Sequence, residues 1–303
     1  MILRLEANIQ RKIWGGEKLE RFKKLTPVSN VDPVGETWEI STHKDGPSLV
    51  NGKALLNTDL SSPLKYLVKF IDTGADLSIQ VHPHDEYARA HENSLGKTEC
   101  WIILDTKEGA GIYLGLKSNV TKEQFESAIL NKENMDSYLN FYEVKKGDFF
   151  FVPAGSIHAI GKGITLAEIQ QSSGITYRVW DWNRLDSKGE PRELHVKKSL
   201  DVINFDSKAN ELSYFNHRTD LFLQNGLSEI VSHDDFRVSV INLKANEKIR
   251  IMLDSKRISS VLNLENEILI NGMAMSAFSS VILDCEQEIE VVAVDDSSFI
   301  FVD

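Results

Sequence analysis

Short apolar runs recur along the whole chain, separated by Gly, Pro, Asn and Asp. YLVKFID (66–72), DLSIQVH (76–82), ECWIIL (99–104), AGIYLGL (110–116), DFFFVP (148–153) and TYRVWDW (176–182) are alternating or continuously apolar, the pattern of half-buried and buried strands. After a connecting region at 195–225, FRVSVINL (236–243), SSVLNLE (259–265), EILING (267–272), SSVILD (279–284) and EIEVVAV (288–294) alternate as antiparallel strands do. A chain cut into so many short strands is restricted to β-sandwiches and barrels. Two helical stretches interrupt it. Thr121 and Gln124 form a capping box ahead of a periodic run at 125–141, and a shorter helix at 83–93 opens with Pro83 and Asp85 in its first turn. The expected fold is all-β. A jelly-roll barrel spans 1–225 with a helical insert at about 121–141, and a smaller β-sandwich follows at 226–303.

At 303 residues and 42% hydrophobic, the chain can bury two such cores. Its net charge of −11 argues against nucleic acid or an anionic membrane as the main partner, although a few gathered cations can still bind an anionic small molecule. No apolar run reaches membrane-spanning length, and MILRLEANIQRKIWGG lacks the apolar stretch of a signal peptide. Cys100 and Cys285 sit in separate apolar runs and read as buried free thiols. A reducing, cytoplasmic setting is expected.

The chemistry concentrates in LSIQVHPHDEYARAHENSLGKTECWIIL (77–104), which carries more polar groups than a structural strand requires. Gln80 and His82, two apart on a strand, leave the same face, and Val81 leaves the other. Glu99 opens the next strand, where an antiparallel neighbour would set it beside His82. Simple spacing would offer Glu86 instead, but DEYARAHEN reads as a helix leaving the strand. His84, Glu86 and His91 are therefore assigned to its solvated face.

GDFFFVPAGSIHAIG (147–161) fits G-x5-P-x-G-x2-H, a strand and tight turn delivering His158, and GADLSIQVH (74–82) fits G-x5-[H/Q]-x-H. These are the two half-motifs of the cupin superfamily, with Gln80 in place of the first histidine and Lys162 in place of the final asparagine. Each half is weak evidence. Both together, in order, turn a pair of rim histidines into a metal constellation. Two imidazoles, a carboxylate and an amide oxygen form an N/O set that suits one Zn²⁺ per chain.

With these positions assigned, the sequence resembles the type I phosphomannose isomerases of the short bacterial form. The resemblance rests on KIWGG (12–16), GETWEIS (35–41), KFID (69–72), LSIQVHPHDEYA (77–88), GKTECWIIL (96–104), PAGSIHAIG (153–161), EIQQSS (168–173), TYRVWDWNR (176–184) and RELH (192–195). It covers nearly all of 12–198, whereas the C-terminal part matches only in strand pattern. The resemblance puts Gln80, His82, Glu99 and His158 on zinc-ligand positions, Arg178 on a catalytic arginine, Lys97 on a lysine lining the active site and Glu168 on an acidic position nearby. Gly174 and His84 depart from the family pattern, where an acidic residue and an aspartate are common, but neither replaces a ligand.

The implied reaction interconverts mannose 6-phosphate and fructose 6-phosphate by moving a proton between C1 and C2 through an enediol(ate). It needs an acid–base group, charge stabilisation and cations for the phosphate. Lys97 serves as acid–base group or only neutralises phosphate. Glu168 serves as base or braces a ligand histidine. Arg178, always charged, is assigned electrostatic work. Arg192 or His195 of RELH could reach the pocket, and Trp180 and Trp182 read as packing residues. Two other readings compete. His82, Glu99 and His158 also form the set used by Fe(II) cupin oxygenases, and a sugar-binding cupin without catalysis would keep the same architecture. The partner in every reading is a small molecule, and no oligomeric state follows from the sequence.

Overall fold

The apolar runs pair into two facing antiparallel sheets. One has six strands in the order Phe149–Val152, Glu99–Thr106, Ile164–Gln171, Tyr66–Asp72, Val34–Ile40 and Asn8–Arg11. The other has five, in the order Leu139–Glu143, Gly111–Leu116, His158–Ile160, Ile79–Val81 and Tyr177–Trp180. This computed structural model describes all residues except 27, 29, 30, 186–188, 285 and 286. The expectation for Cys285 lies outside the described residues, and Cys100 is a buried free thiol.

Period-two alternation decides what each strand gives to which layer. Ile71, Trp101, Ile103 and Leu166 point between the sheets and meet Ile112, Leu114 and Ile160 from the other side. Their neighbours Phe70, Cys100, Ile102 and Ala167 point outward into a second core. Trp101 is fully buried at the centre of the first, and its truncation to alanine is expected to cost about 3–5 kcal/mol.

The outer face of the five-stranded sheet is covered by helices. Ile79, Val81 and Val179 pack against Phe125, Ala128 and Ile129 of the helix Lys122–Leu130, and against Leu200 and Val202 of the helix Val196–Val202. Thr121 caps the first helix through the full capping box with Gln124. That helix ends at Leu130, well short of the expected 141. A short 3-10 turn at Met135–Tyr138 and a strand at Leu139–Glu143 take up the rest, because Leu139, Phe141 and Glu143 pair with the sheet edge. The connecting region likewise contains the helix Val196–Val202.

The C-terminal part is a sandwich of a six-stranded and a four-stranded sheet, with its own core of residues such as Ile241, Val261, Ile289 and Phe299. One boundary differs from expectation. Ile2–Leu5, assigned with the barrel, pairs antiparallel with Ser280–Leu283 and forms the edge of the C-terminal sheet. Leu3 and Leu5 find apolar cover there. The two units share a core in which Val68, Phe70 and Ile102 meet Val238, Leu262 and Ile300. Tyr66 seals it by donating to the carbonyl of Ile258 at 3.0 Å, with its hydroxyl 2.8 Å from Ser260 Oγ. Among the described residues no helix is long and apolar enough to cross a membrane.

Candidate metal centre and active site

Gln80 and His82 alternate inward while Ile79 and Val81 pack outward beneath the helices. His158 sits in register opposite Gln80, and Gln80 opposite Arg178 on the next strand. Registered partners share a face, so the three side chains form a row across the sheet. The turn before His158 depends on Gly155, whose φ of +86° is a left-handed conformation that side chains resist. Its amide donates to the carbonyl of His82 at 2.8 Å, tying the two histidine segments together.

Glu99 reaches the same point from the opposite sheet. The expected neighbour pairing with the His82 strand does not occur: Glu99 pairs with Val152 and Gln170, and meets His82 across the barrel interior. Its Oε1 lies 3.4 Å from His158 Nε2 and its Oε2 3.6 Å from His82 Nε2. Ligand atoms of His82, Glu99 and His158, all buried, fall within 4.8 Å of one another. Glu86 is exposed on the helix Asp85–Glu92, and His84 and His91 are exposed too.

The two imidazoles are fixed in one orientation. His82 Nδ1 donates to the carbonyl of Ile175 at 2.8 Å and His158 Nδ1 to that of Ser156 at 3.0 Å, leaving each Nε2 as an acceptor. Burial, with Lys97 nearby, keeps both neutral: His158 is pulled down to about 4 and His82 well below its usual value. Burial and the neighbouring Glu168 push the Glu99 carboxyl upward. Glu99 Oε1 is buried with no hydrogen-bond partner. A buried carboxylate oxygen facing two imidazole acceptors is a donor set that calls for a cation, and the residues fit a metal. Gln80 adds an amide whose nitrogen stands 3.2 Å from His158 Nε2.

Lys97 Nζ hydrogen-bonds Glu99, lies 3.1 Å from His82 Nε2 and 3.7 Å from Glu168. Glu168 accepts from Lys69 Nζ and from Trp101 Nε1, each at 3.2 Å. It braces neither histidine, because backbone carbonyls already take both Nδ1 protons. Burial alone would raise the Glu168 carboxyl, but Lys97 and Lys69 hold it well below the usual range. Gln80, Lys97, Glu168 and Arg178 line a cavity of about 420 Å³. Arg178 donates to the carbonyl of Glu193 at 2.8 Å, and its Nε is buried without a partner.

Residues 2–99 match the family model described as phosphomannose isomerase type I, catalytic domain. The mannose-6-phosphate isomerase of Streptococcus mutans is 40% identical over 221 residues, 68% of this chain and 69% of that protein. The chain belongs to the type I phosphomannose isomerases. Mannose-6-phosphate isomerase ManA of Bacillus subtilis is 40% identical over 214 residues, 65% of this chain and 66% of that protein. The matched regions thus span about two thirds of these relatives. The crystal structure of the mannose 6-phosphate isomerase from Bacillus subtilis superposes with a TM-score of 0.82 at 28% identity, covering 100% of this chain and 99% of that one. A mannose 6-phosphate isomerase bound with zinc and yttrium shares the fold at a TM-score of 0.75 and 15% identity, covering 99% and 98%.

Several cavity residues lie in the family-like stretches KIWGG, GETWEIS and KFID, yet the sequence alone assigns them no site role: Lys12, Trp14, Glu36, Trp38 and Lys69. Lys69 carried a usable signal. It is the one cation in a strand buried on both faces, so it needs partners, and it finds Glu168 and, at 3.8 Å, Glu36. Trp38 lies beneath it, with the ammonium 4.9 Å from the ring centroid. Arg192 lines the cavity and is held by Asp181. His195 instead accepts the backbone N–H of Arg178 at 3.1 Å and braces that strand. Trp180 and Trp182 pack against each other, centroids 4.6 Å apart, over the helix-covered core.

Proposed function

We propose that this isomerase interconverts mannose 6-phosphate and fructose 6-phosphate through an enediol(ate), with one zinc ion held by Gln80, His82, Glu99 and His158. The observation that carries the reading is the meeting of two Nε2 acceptors with a partnerless buried carboxylate oxygen, beside a cation-rich cavity. That cavity is lined by Lys12, Lys69, Lys97, Arg178 and Arg192 against Glu36, Asp45 and Glu168, an excess of two positive charges that suits a phosphate dianion. Its size falls in the range of small-molecule pockets.

When bound, zinc would supply Lewis acidity and positive charge beside the cavity. Lys97, within reach of Glu99, His82 and Glu168, is assigned the proton transfer between C1 and C2. Glu168, kept ionised by its two lysines, is a weak base; we assign it to anchoring Lys97 and Lys69. Arg178 stabilises charge on the enediolate or phosphate. The C-terminal sandwich, 226–303, is read as a metal-free cupin-like domain. In support, the only metal-capable His/Cys/Asp/Glu cluster among the described residues lies in the barrel.

A coupled assay with mannose 6-phosphate tests the reading. Turnover should vanish on chelation and return with added zinc. Fully zinc-loaded protein that converts no hexose phosphate would refute it.

A further inference from the structure

The segment Leu95–Thr98, which delivers Lys97 to the cavity, is not part of either sheet and is held from outside by a small set of bonds. Gly96 N–H donates to Asp85 Oδ1 at 2.8 Å, Lys97 N–H to the carbonyl of Pro83 at 3.0 Å, and Ser173 Oγ to the carbonyl of Leu95 at 2.9 Å. Ala154 N–H donates to Thr98 Oγ1 at 3.2 Å, and Gln171 adds a further clamp. Its Oε1 accepts the Thr98 N–H at 2.8 Å and its own N–H donates to the Thr98 carbonyl at 3.0 Å, so it grips Thr98 from both sides. Gln171 is nearly fully buried, at 4% exposure.

The amide nitrogen of Gln171 has two protons, and both are taken by carboxylates. Nε2 stands 3.2 Å from Asp85 Oδ1 and 2.8 Å from Asp235 Oδ2. Carboxylates only accept and a backbone N–H only donates, so the amide has one satisfied orientation. Asp235 belongs to the turn between the C-terminal strands Gly226–Ser232 and Arg237–Leu243. It is steered there by its own N–H, which donates to His233 Nδ1, and by Lys65 at 3.5 Å. A residue of the C-terminal unit therefore stands two bonds from the backbone that carries Lys97 and Glu99.

We propose that Asp235 is a positioning residue for the isomerase reaction, acting through Gln171 to fix the height of Lys97 over the substrate carbons. The inference rests on the function proposed above. Removing the carboxylate frees one Gln171 proton and takes away the shorter of the two bonds that hold its amide nitrogen, leaving only the 3.2 Å bond to Asp85, so the grip of the side chain on the Thr98 N–H loosens. A shift of Lys97 by a fraction of an ångström then acts on proton transfer rather than on substrate binding. The C-terminal sandwich thereby contributes to the geometry of a site to which it supplies no ligand.

Three proteins test this: the native chain, Asp235→Ala and Asp235→Asn, each loaded with zinc. Asp235→Ala should lower kcat about tenfold with KM within about twofold, the split expected of a displaced reacting group. Zinc content should not change. Asn offers an accepting oxygen in the same place, so Asp235→Asn should recover most of the loss. Amide hydrogen exchange, read on the peptide covering 95–99, should be faster in the alanine variant and native in the asparagine variant. This readout needs no turnover, so it tests the coupling of Asp235 to 95–99 separately from the functional reading, which inactivity of the native protein on mannose 6-phosphate would sink. Native kcat in Asp235→Ala, or a kcat loss with unchanged exchange at 95–99, would overturn the proposal.

Discussion

Glu99 Oε1 lies 3.4 Å from His158 Nε2 although the two residues come from opposite sheets of the barrel. The centre is thus assembled across the jelly-roll interior, where one carboxylate bridges toward two imidazoles that the facing sheet presents. Apolar layers pack these strands on either side. Substitutions at the site should therefore alter chemistry while leaving the fold intact.

Arg178→Lys keeps the charge but not the planar fork of donors. Turnover should fall by about 100-fold or more, with metal content unchanged. Steady-state kinetics on zinc-matched protein provide the check, and near-native kcat would remove Arg178 from the mechanism.

Lys97→Met retains much of the aliphatic length and deletes the ammonium. If Lys97 moves the proton, kcat should drop by about 1000-fold while zinc still binds, because general acid–base groups contribute on the order of 10²–10⁴. A loss confined to KM would instead mark Lys97 as a phosphate neutraliser.

Tyr66 gives the pH dependence a defined sign. Burial pushes its hydroxyl above the ordinary value of 10. The unfolded chain therefore releases this proton first as pH rises, so the stabilisation is fully present below pH 10 and is lost above it. Tyr66→Phe should destabilise by about 1–2 kcal/mol at neutral pH, through loss of the bonds to Ile258 and Ser260. It should also flatten the alkaline limb of a stability–pH curve. An unaltered limb would assign that loss to other groups.

Glu265 forms an exposed ion pair with Lys146 on the side of the C-terminal sandwich. Glu265→Gln should leave turnover within about twofold, since a surface pair is worth little. A larger fall would extend the influence of that domain well beyond Asp235.

The strands and the metal-capable trio were legible in the sequence because both obey short-range rules. Alternation told inward Gln80 and His82 from outward Val81, and the Gly-Pro turn chemistry announced the arrival of His158. What escaped depends on the long-range assembly of the sheets. Nothing local to Glu99 says that it faces His82 from across the barrel, and nothing in ILRL says that it will close a sheet formed by the other end of the chain. The helix overran its true end for a related reason. LNFYE has enough apolar spacing to continue a helix, but an open sheet edge at Gly111–Leu116 recruits it as a strand. Lys12, Glu36 and Lys69 sit in the matching stretches KIWGG, GETWEIS and KFID, but no local spacing assigns them to the site, and they meet in the cavity only through the assembled sheet.

The most direct test of the central claim is zinc content by metal analysis, measured side by side on the native protein and on His158→Ala after identical zinc loading and desalting. Thermal melts would confirm that both are folded. The account predicts one zinc per native chain and loss of most of it from the variant, whose apolar barrel core does not depend on the imidazole. Stoichiometric zinc retained by folded His158→Ala would contradict the assignment of this centre.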